Sequence, residues 1–195
     1  LWLSSGNDTN IFTSIVNKNQ ALGDGDGGGI WNRGRLTIRN STISDNSAAL
    51  DGGGLHNSGA TGNAGRLSLV NSTFSSNQGH EGGNLYSSSS SGGNSDGQCS
   101  PRAELLHVTF FSSEDPSSQS TGDVFNSGSG CLGVRNSIIA TRCDGNVNNI
   151  VSYGHNLDIG VSCDFTHTGD IQSSPPLLGP LTDNGGPTFS GGPTR

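Results

Sequence analysis

The sequence predicts an all-β solenoid of about six or seven stacked coils with polar loop insertions, and three observations carry that prediction. First, a phrase repeats. Arg35-Leu-Thr-Ile-Arg-Asn-Ser-Thr-Ile-Ser-Asp-Asn46 returns 31 residues later as Arg66-Leu-Ser-Leu-Val-Asn-Ser-Thr-Phe-Ser-Ser-Asn77, with degenerate copies at 102–111 and 131–139. Second, a glycine cluster ending in an apolar residue precedes each clean copy, Gly27-Gly28-Gly29-Ile30 and Gly52-Gly53-Gly54-Leu55. Third, hydrophobic residues make up only 29% of the chain while glycine supplies 32 of 195 residues. One lysine, three glutamates and no methionine leave too few helix formers for a helical repeat. A stack of coils needs only a thin inward row of side chains per coil, so it tolerates this composition.

Residues 1–26 hold a first coil, in which Val16-Asn17-Lys18-Asn19-Gln20-Ala21 echoes Ile43-Ser44-Asp45-Asn46-Ser47-Ala48. Residues 27–80 hold the two clean units. The Ser/Gly-rich stretch 87–98 reads as a loop interrupting the rod, and 99–142 as its resumption around a second polar insertion at 112–122. The solenoid is expected over 1–172, and the proline- and glycine-rich residues 173–195 as a C-terminal cap or linker. Period-two alternation points Leu36 and Ile38, Leu67 and Leu69, Leu105, and Leu132 and Val134 inward. Extended one step further, it places Asn40, Asn71 and Asn136 in an inward asparagine ladder, with His107 substituting once, and leaves Asn77 to cap an exposed corner. Thr42, Thr73 and Thr109 stack next, followed by Ile43, Phe74, Phe110 and Ile139.

A net charge of −7 argues against a nucleic-acid partner, because phosphate recognition rewards clustered Lys and Arg. No run approaches the ~18 apolar residues of a spanning helix, so no transmembrane segment is expected. The chain opens in mid-pattern at Leu1-Trp2-Leu3, as a mature or excised fragment would. Four cysteines permit three pairings. Neighbouring coils lie ~4.8 Å apart, inside the ~4.4–6.8 Å that a disulfide spans. Repeat alignment puts Arg102 and Cys131 in one column and Cys99 three residues before it, so the expected bonds are Cys99–Cys131 and Cys143–Cys163. Zinc sites favour short C-x2–4-C spacings, which do not occur. Disulfides in turn imply an oxidising, extracellular compartment.

The Gly-Gly-x-Ile/Leu clusters, followed by Phe74-Ser-Ser-Asn77 and Ile43-Ser-Asp-Asn46, resemble the repeats of polymorphic outer-membrane proteins. Residues 143–188 resemble a segment of bacterial choice-of-anchor Q proteins, through Tyr153-Gly-His-Asn-Leu157, Cys163-Asp-Phe165 and Pro176-Leu-Leu-Gly-Pro-Leu-Thr-Asp-Asn-Gly-Gly-Pro-Thr188. The resemblance implies a right-handed parallel β-helix of the pectate-lyase-like kind, exported to the bacterial surface. It carries no catalytic residues over.

Gly23-Asp-Gly-Asp-Gly-Gly-Gly29 resembles half of a calcium-binding nonapeptide repeat, making Asp24 and Asp26 the calcium candidates. Such sites need the motif in consecutive turns. The next turn offers only Asp51, and a solvated turn is the favoured reading of the stretch. No other cofactor is expected. Hydrolases need two carboxylates facing each other across a groove, and lyases need a basic residue beside a bound cation. Arg35, Arg66 and Arg102 form a column without recurring carboxylates apart from Glu104, so they read as a solvated edge and no catalytic residue is assigned. An ice-binding threonine face fails because Thr37 is matched by Ser68 and Glu104. His56, His80, His107, His155 and His167 lack metal-ligand spacing. The sequons at Asn40 and Asn71 fall in the expected inward ladder, which would block glycan attachment, whereas Asn7-Asp-Thr9 would be an acceptor only in a eukaryotic host.

These readings converge on a secreted or bacterial cell-surface adhesive module. Its expected partners are a glycan or host-surface ligand and further copies of itself, stacked end to end into a filament. The rival is a carbohydrate-active enzyme, which two or more carboxylates converging with Arg or His on one outer face would favour.

Overall fold

Short strands alternate with sharp corners, and each strand pairs in parallel with its counterpart one repeat further on. The computed structural model describes residues 1–59, 65–88, 101–112, 123–127 and 130–179, without the side chains of 101 and 102. A first ladder runs Trp2–Leu3, Ile30–Asn32, Leu55–Asn57, Leu85–Ser87, Val124–Asn126, Cys143–Gly145. A second runs Asp8–Phe12, Arg35–Arg39, the first halves of Arg66–Ser75 and Pro101–Phe111, Cys131–Arg135, Ile150–Ser152. A third runs Ile15–Asn17, Thr42–Ser44, the second halves of the same long strands, Ile138–Ala140, Leu157–Asp158. The two long strands join the second and third ladders into one ten-stranded sheet. Among the described residues the only helical element is the 3-10 turn Val147–Asn149.

The inward residues expected from alternation are all buried: Leu36, Ile38, Leu67, Leu69, Leu105, Leu132 and Val134. Ile43, Phe74, Phe110 and Ile139 stack in register with no exposed surface, and the two phenylalanine rings lie 5.2 Å apart. Thr42, Thr73 and Thr109 share a column, as expected.

The inward asparagine ladder is overturned. Asn40, Asn71 and Asn136 stack as a column, but they face solvent. The Asn71 amide donates to Asn40 Oδ1 at 2.7 Å, and Asn136 Nδ2 lies 3.0 Å from His107 Nε2, both in the open. The cause is the backbone. Asn40, Asn71, His107 and Asn136 have φ of 51°, 48°, 53° and 50°, and a left-handed residue resets the in–out parity of a strand. Two successive residues therefore face outward, and serine turns inward behind them. Ser41 Oγ bonds the Arg39 carbonyl and accepts the Ser14 amide, while Ser72 Oγ accepts the Ser41 amide.

The buried ladder sits at the next corner. Asn46 Nδ2 donates to Asn77 Oδ1 at 2.9 Å, and Asn77 Nδ2 donates to Asn84 Oδ1 at 2.8 Å and to the Ile43 carbonyl. Asn77 is thus an interior residue, 3% exposed, rather than an outer cap. The sequons at Asn40 and Asn71 are correspondingly accessible.

Cys143 and Cys163 are bonded with Cα atoms 5.0 Å apart, as expected. Cys99, the expected partner of Cys131, lies outside the described residues. So do most of the 87–98 and 112–122 insertions, residues 180–195, and the Arg102 side chain. The bonded Cys163 and Phe165 join the core, and Ile171 bridges to Leu157, so residues 154–173 fold over the last repeat.

Candidate functional site

In the first ladder Ile30 and Asn32 point inward with no exposure, which turns the residue between them outward. The outward column reads Trp2, Trp31, His56, Tyr86, Phe125, Asp144 in direct register. Successive ring centroids are 6.0, 6.2, 4.7 and 5.4 Å apart, and the last pair is stacked at 9°. Trp2 is 60% exposed, Trp31, Tyr86 and Phe125 are half-buried, and His56 is buried between its neighbours.

Five residues before three of these rings stands a carboxylate: Asp26 before Trp31, Asp51 before His56, Glu81 before Tyr86. The intervening glycines bring the carboxylate alongside the ring. Gly52 holds φ of +68°, and a Cβ on Gly53 would run into the Gln78 carbonyl, so the chain turns tightly against the next repeat. Two of the carboxylates are fixed by the next repeat. Asp26 Oδ1 accepts the Asp51 amide and Asp51 Oδ1 accepts the Glu81 amide, both at 3.2 Å.

Asp26 Oδ2 lies 3.4 Å from His56 Nδ1, and Asp51 Oδ1 lies 3.9 Å from His80 Nδ1. His56 Nδ1 is buried without a well-formed hydrogen bond. Burial drives the His56 pKa below its ordinary 6.5, outweighing the pull of Asp26 and Asp51, so the ring is neutral at pH 7. Burial, followed by the charge of Asp51, pushes the Glu81 carboxyl up. Burial likewise raises Tyr86. The strip thus sets hydrogen-bond acceptors beside apolar ring edges, repeated along the stack.

Of the residues singled out in the sequence, Asp26 belongs to this strip, whereas Asp24 is exposed beside it. Among the described residues no three His, Cys, Asp or Glu side chains converge as metal ligands do. Arg35 and Arg66 pair in register on the second ladder, away from the rings. Alternation along single repeats did not reveal the ring column. The legible signal was the recurring Asp/Glu-Gly-Gly-x-Ile/Leu-ring hexad. At the far end Val147, Ile150, Ser152, Asp164, Thr166 and His167 line a cleft of about 330 Å³. Asp170 ties two of its lining residues together, accepting from Ser152 Oγ at 2.6 Å and from the His167 amide at 2.8 Å.

No family model, curated protein or solved structure matches the chain. Among the described residues no helix is long and apolar enough to cross a membrane.

Proposed function

We propose that the protein is a right-handed parallel β-helix, exported and displayed outside the cell or at a bacterial surface, that works as an adhesive module by binding carbohydrate along its ring column. One observation carries the reading: Trp2, Trp31, His56, Tyr86 and Phe125 form an outward strip along the stacking direction, flanked by Asp26, Asp51 and Glu81. The interior does not need these rings, since Ile30, Leu55, Leu85 and Val124 already fill it.

Ring edges and the open face of Trp2 offer apolar contact to the C–H faces of sugars, while carboxylate oxygens accept from hydroxyls. The strip repeats every ~4.8 Å, close to the advance of one sugar in an extended chain, so one sugar meets one repeat. The carboxylate row favours neutral or amino sugars over uronates, which it repels. Parallel pairing in every ladder supports the β-helix, and right-handed crossovers are the rule for parallel strands. The Cys143–Cys163 bond supports an oxidising compartment.

The test is retention on insoluble neutral and amino polysaccharides, with and without added calcium because Asp24 and Asp26 are the calcium candidates. Trp2→Ala with Trp31→Ala should weaken retention about tenfold, the scale of one or two lost aromatic contacts. Undiminished retention by a folded variant removes the ring column from the function.

A second reading, a carbohydrate-active enzyme, is favoured by the convergence of Asp26, Asp51 and His56 on one outer face. Release of reducing ends from a bound glycan, lost in Asp51→Asn while binding persists, would select it.

A further inference from the structure

Five of the basic residues gather on one face, while Lys18 lies by the third ladder and Arg142 pairs with Asp144 at the end of the ring column. Arg33, Arg35, Arg39, Arg66 and Arg135 are all exposed on the second ladder or its leading corner, although the chain carries a net charge of −7. Arg35 and Arg66 are direct register partners, and Arg39 and Arg135 lie along the opposite edge of the same face. Asp8, 3.8 Å from Arg35, and Glu104 are the acidic residues on that face. Asp24, Asp26, Asp51 and Glu81 line a different corner, the one that leads into the ring column. Both rows are built by the same stacking, so they share one pitch of ~4.8 Å.

We propose that the arginine face of one copy docks side by side against the acidic corner of a second copy. With equal pitch, a shift that aligns Arg35 with one carboxylate of the row aligns Arg66 with the next. The contact joins unlike surfaces, so it does not close into a dimer and extends into a lateral array. Stacking end to end is the less apt mode, because residues 154–173 fold over one end of the stack. The patch is small. Five residues at ~3.3 Å by four repeats at ~4.8 Å cover roughly 300 Å², against about 800 Å² per partner in a stable pair. Single contacts are therefore transient, and the array gains strength from many copies on one surface.

The inference does not rest on the carbohydrate reading: Arg35 and Arg66 lie off the ring column, and a docked copy would compete with a glycan for Asp26, Asp51 and Glu81. Sedimentation of the full chain tests it. Self-association should appear at ~0.01 M salt and weaken about tenfold or more by ~0.1 M, as the screening length falls from about 30 to about 10 Å. Arg35→Glu with Arg66→Glu should abolish it and leave polysaccharide retention unchanged. Asp24→Lys with Glu81→Lys should also abolish it, and an equimolar mixture of the two double variants should restore it. A wild-type chain that stays monomeric at low salt overturns the proposal, as does association insensitive to salt or a mixture that stays monomeric. The salt series needs no variant, so it decides the matter even where a substitution impairs folding.

Discussion

At the residue scale, burial separates two asparagines that the repeats make look alike. Asn77 has its amide between the Ile43 carbonyl and Asn84, and its Oδ1 accepts the Asn46 backbone amide. Asn77→Ala leaves those buried groups unpaired and should cost roughly 1–3 kcal/mol. Asn71→Ala removes one exposed bond and should cost less than about 0.5 kcal/mol, apart from any strain at its positive φ. Denaturant melts that rank the two in the opposite order would contradict the ladder described above. His56 supplies a pH test. The folded protein holds this ring deprotonated below pH 6.5 while the unfolded chain takes up the proton, so stability should fall as the pH drops through and below 6.5. Glu81, with its raised carboxyl pKa, works in the opposite sense but only near 4.5 and above, where the folded state takes up a proton first. His56→Phe keeps a ring in the stack and should flatten the thermal-stability profile between neutral and mildly acidic pH. A variant with the wild-type slope would assign the titration to another group.

At the element scale, the Cys143–Cys163 bond closes a span of 20 residues and ties the last fold-over to the first ladder. Replacing both cysteines by serine should cost about 3 kcal/mol, the chain-entropy value for such a loop. In a stack of repeats the loss should stay local, with faster amide exchange over 154–173 and little change over 30–75. Uniform acceleration would mean that the stack unfolds as one unit. These elements also show what a one-dimensional pattern conveys. Leu36, Ile38, Leu67 and Leu69 were legible because polar residues alternate with them on an extended strand. Parity was lost at Asn40 and Asn71, because a left-handed residue leaves no mark in an alternation of polar and apolar letters. The ring column was hidden for another reason. Trp31, His56, Tyr86 and Phe125 are 25, 30 and 39 residues apart, and insertions of unequal length conceal a register that only stacking restores.

At the scale of the whole molecule, the main arginine cluster and the main carboxylate row lie on different faces, and this limits which polymers each face can act on. Cleaving a polyuronate requires neutralising its carboxylates beside a base. The ring column carries Asp26, Asp51 and Glu81 within its own strip, so it repels such a chain where the carboxylate–histidine pair would have to act. The arginine face offers attraction, but Asp8 and Glu104 are its only carboxylates among the described residues, and they occupy different columns, so no cation site accompanies the guanidiniums. Purified protein should therefore release no unsaturated uronates from pectin or alginate, at low or moderate salt, with or without calcium. Any binding of these polymers should instead track Arg35 and Arg66 and vanish as salt rises. Ultraviolet detection of elimination products, lost in Arg66→Ala but retained in Trp31→Ala, would place a catalytic centre on the arginine face and overturn the assignment of the ring column as the site of carbohydrate contact.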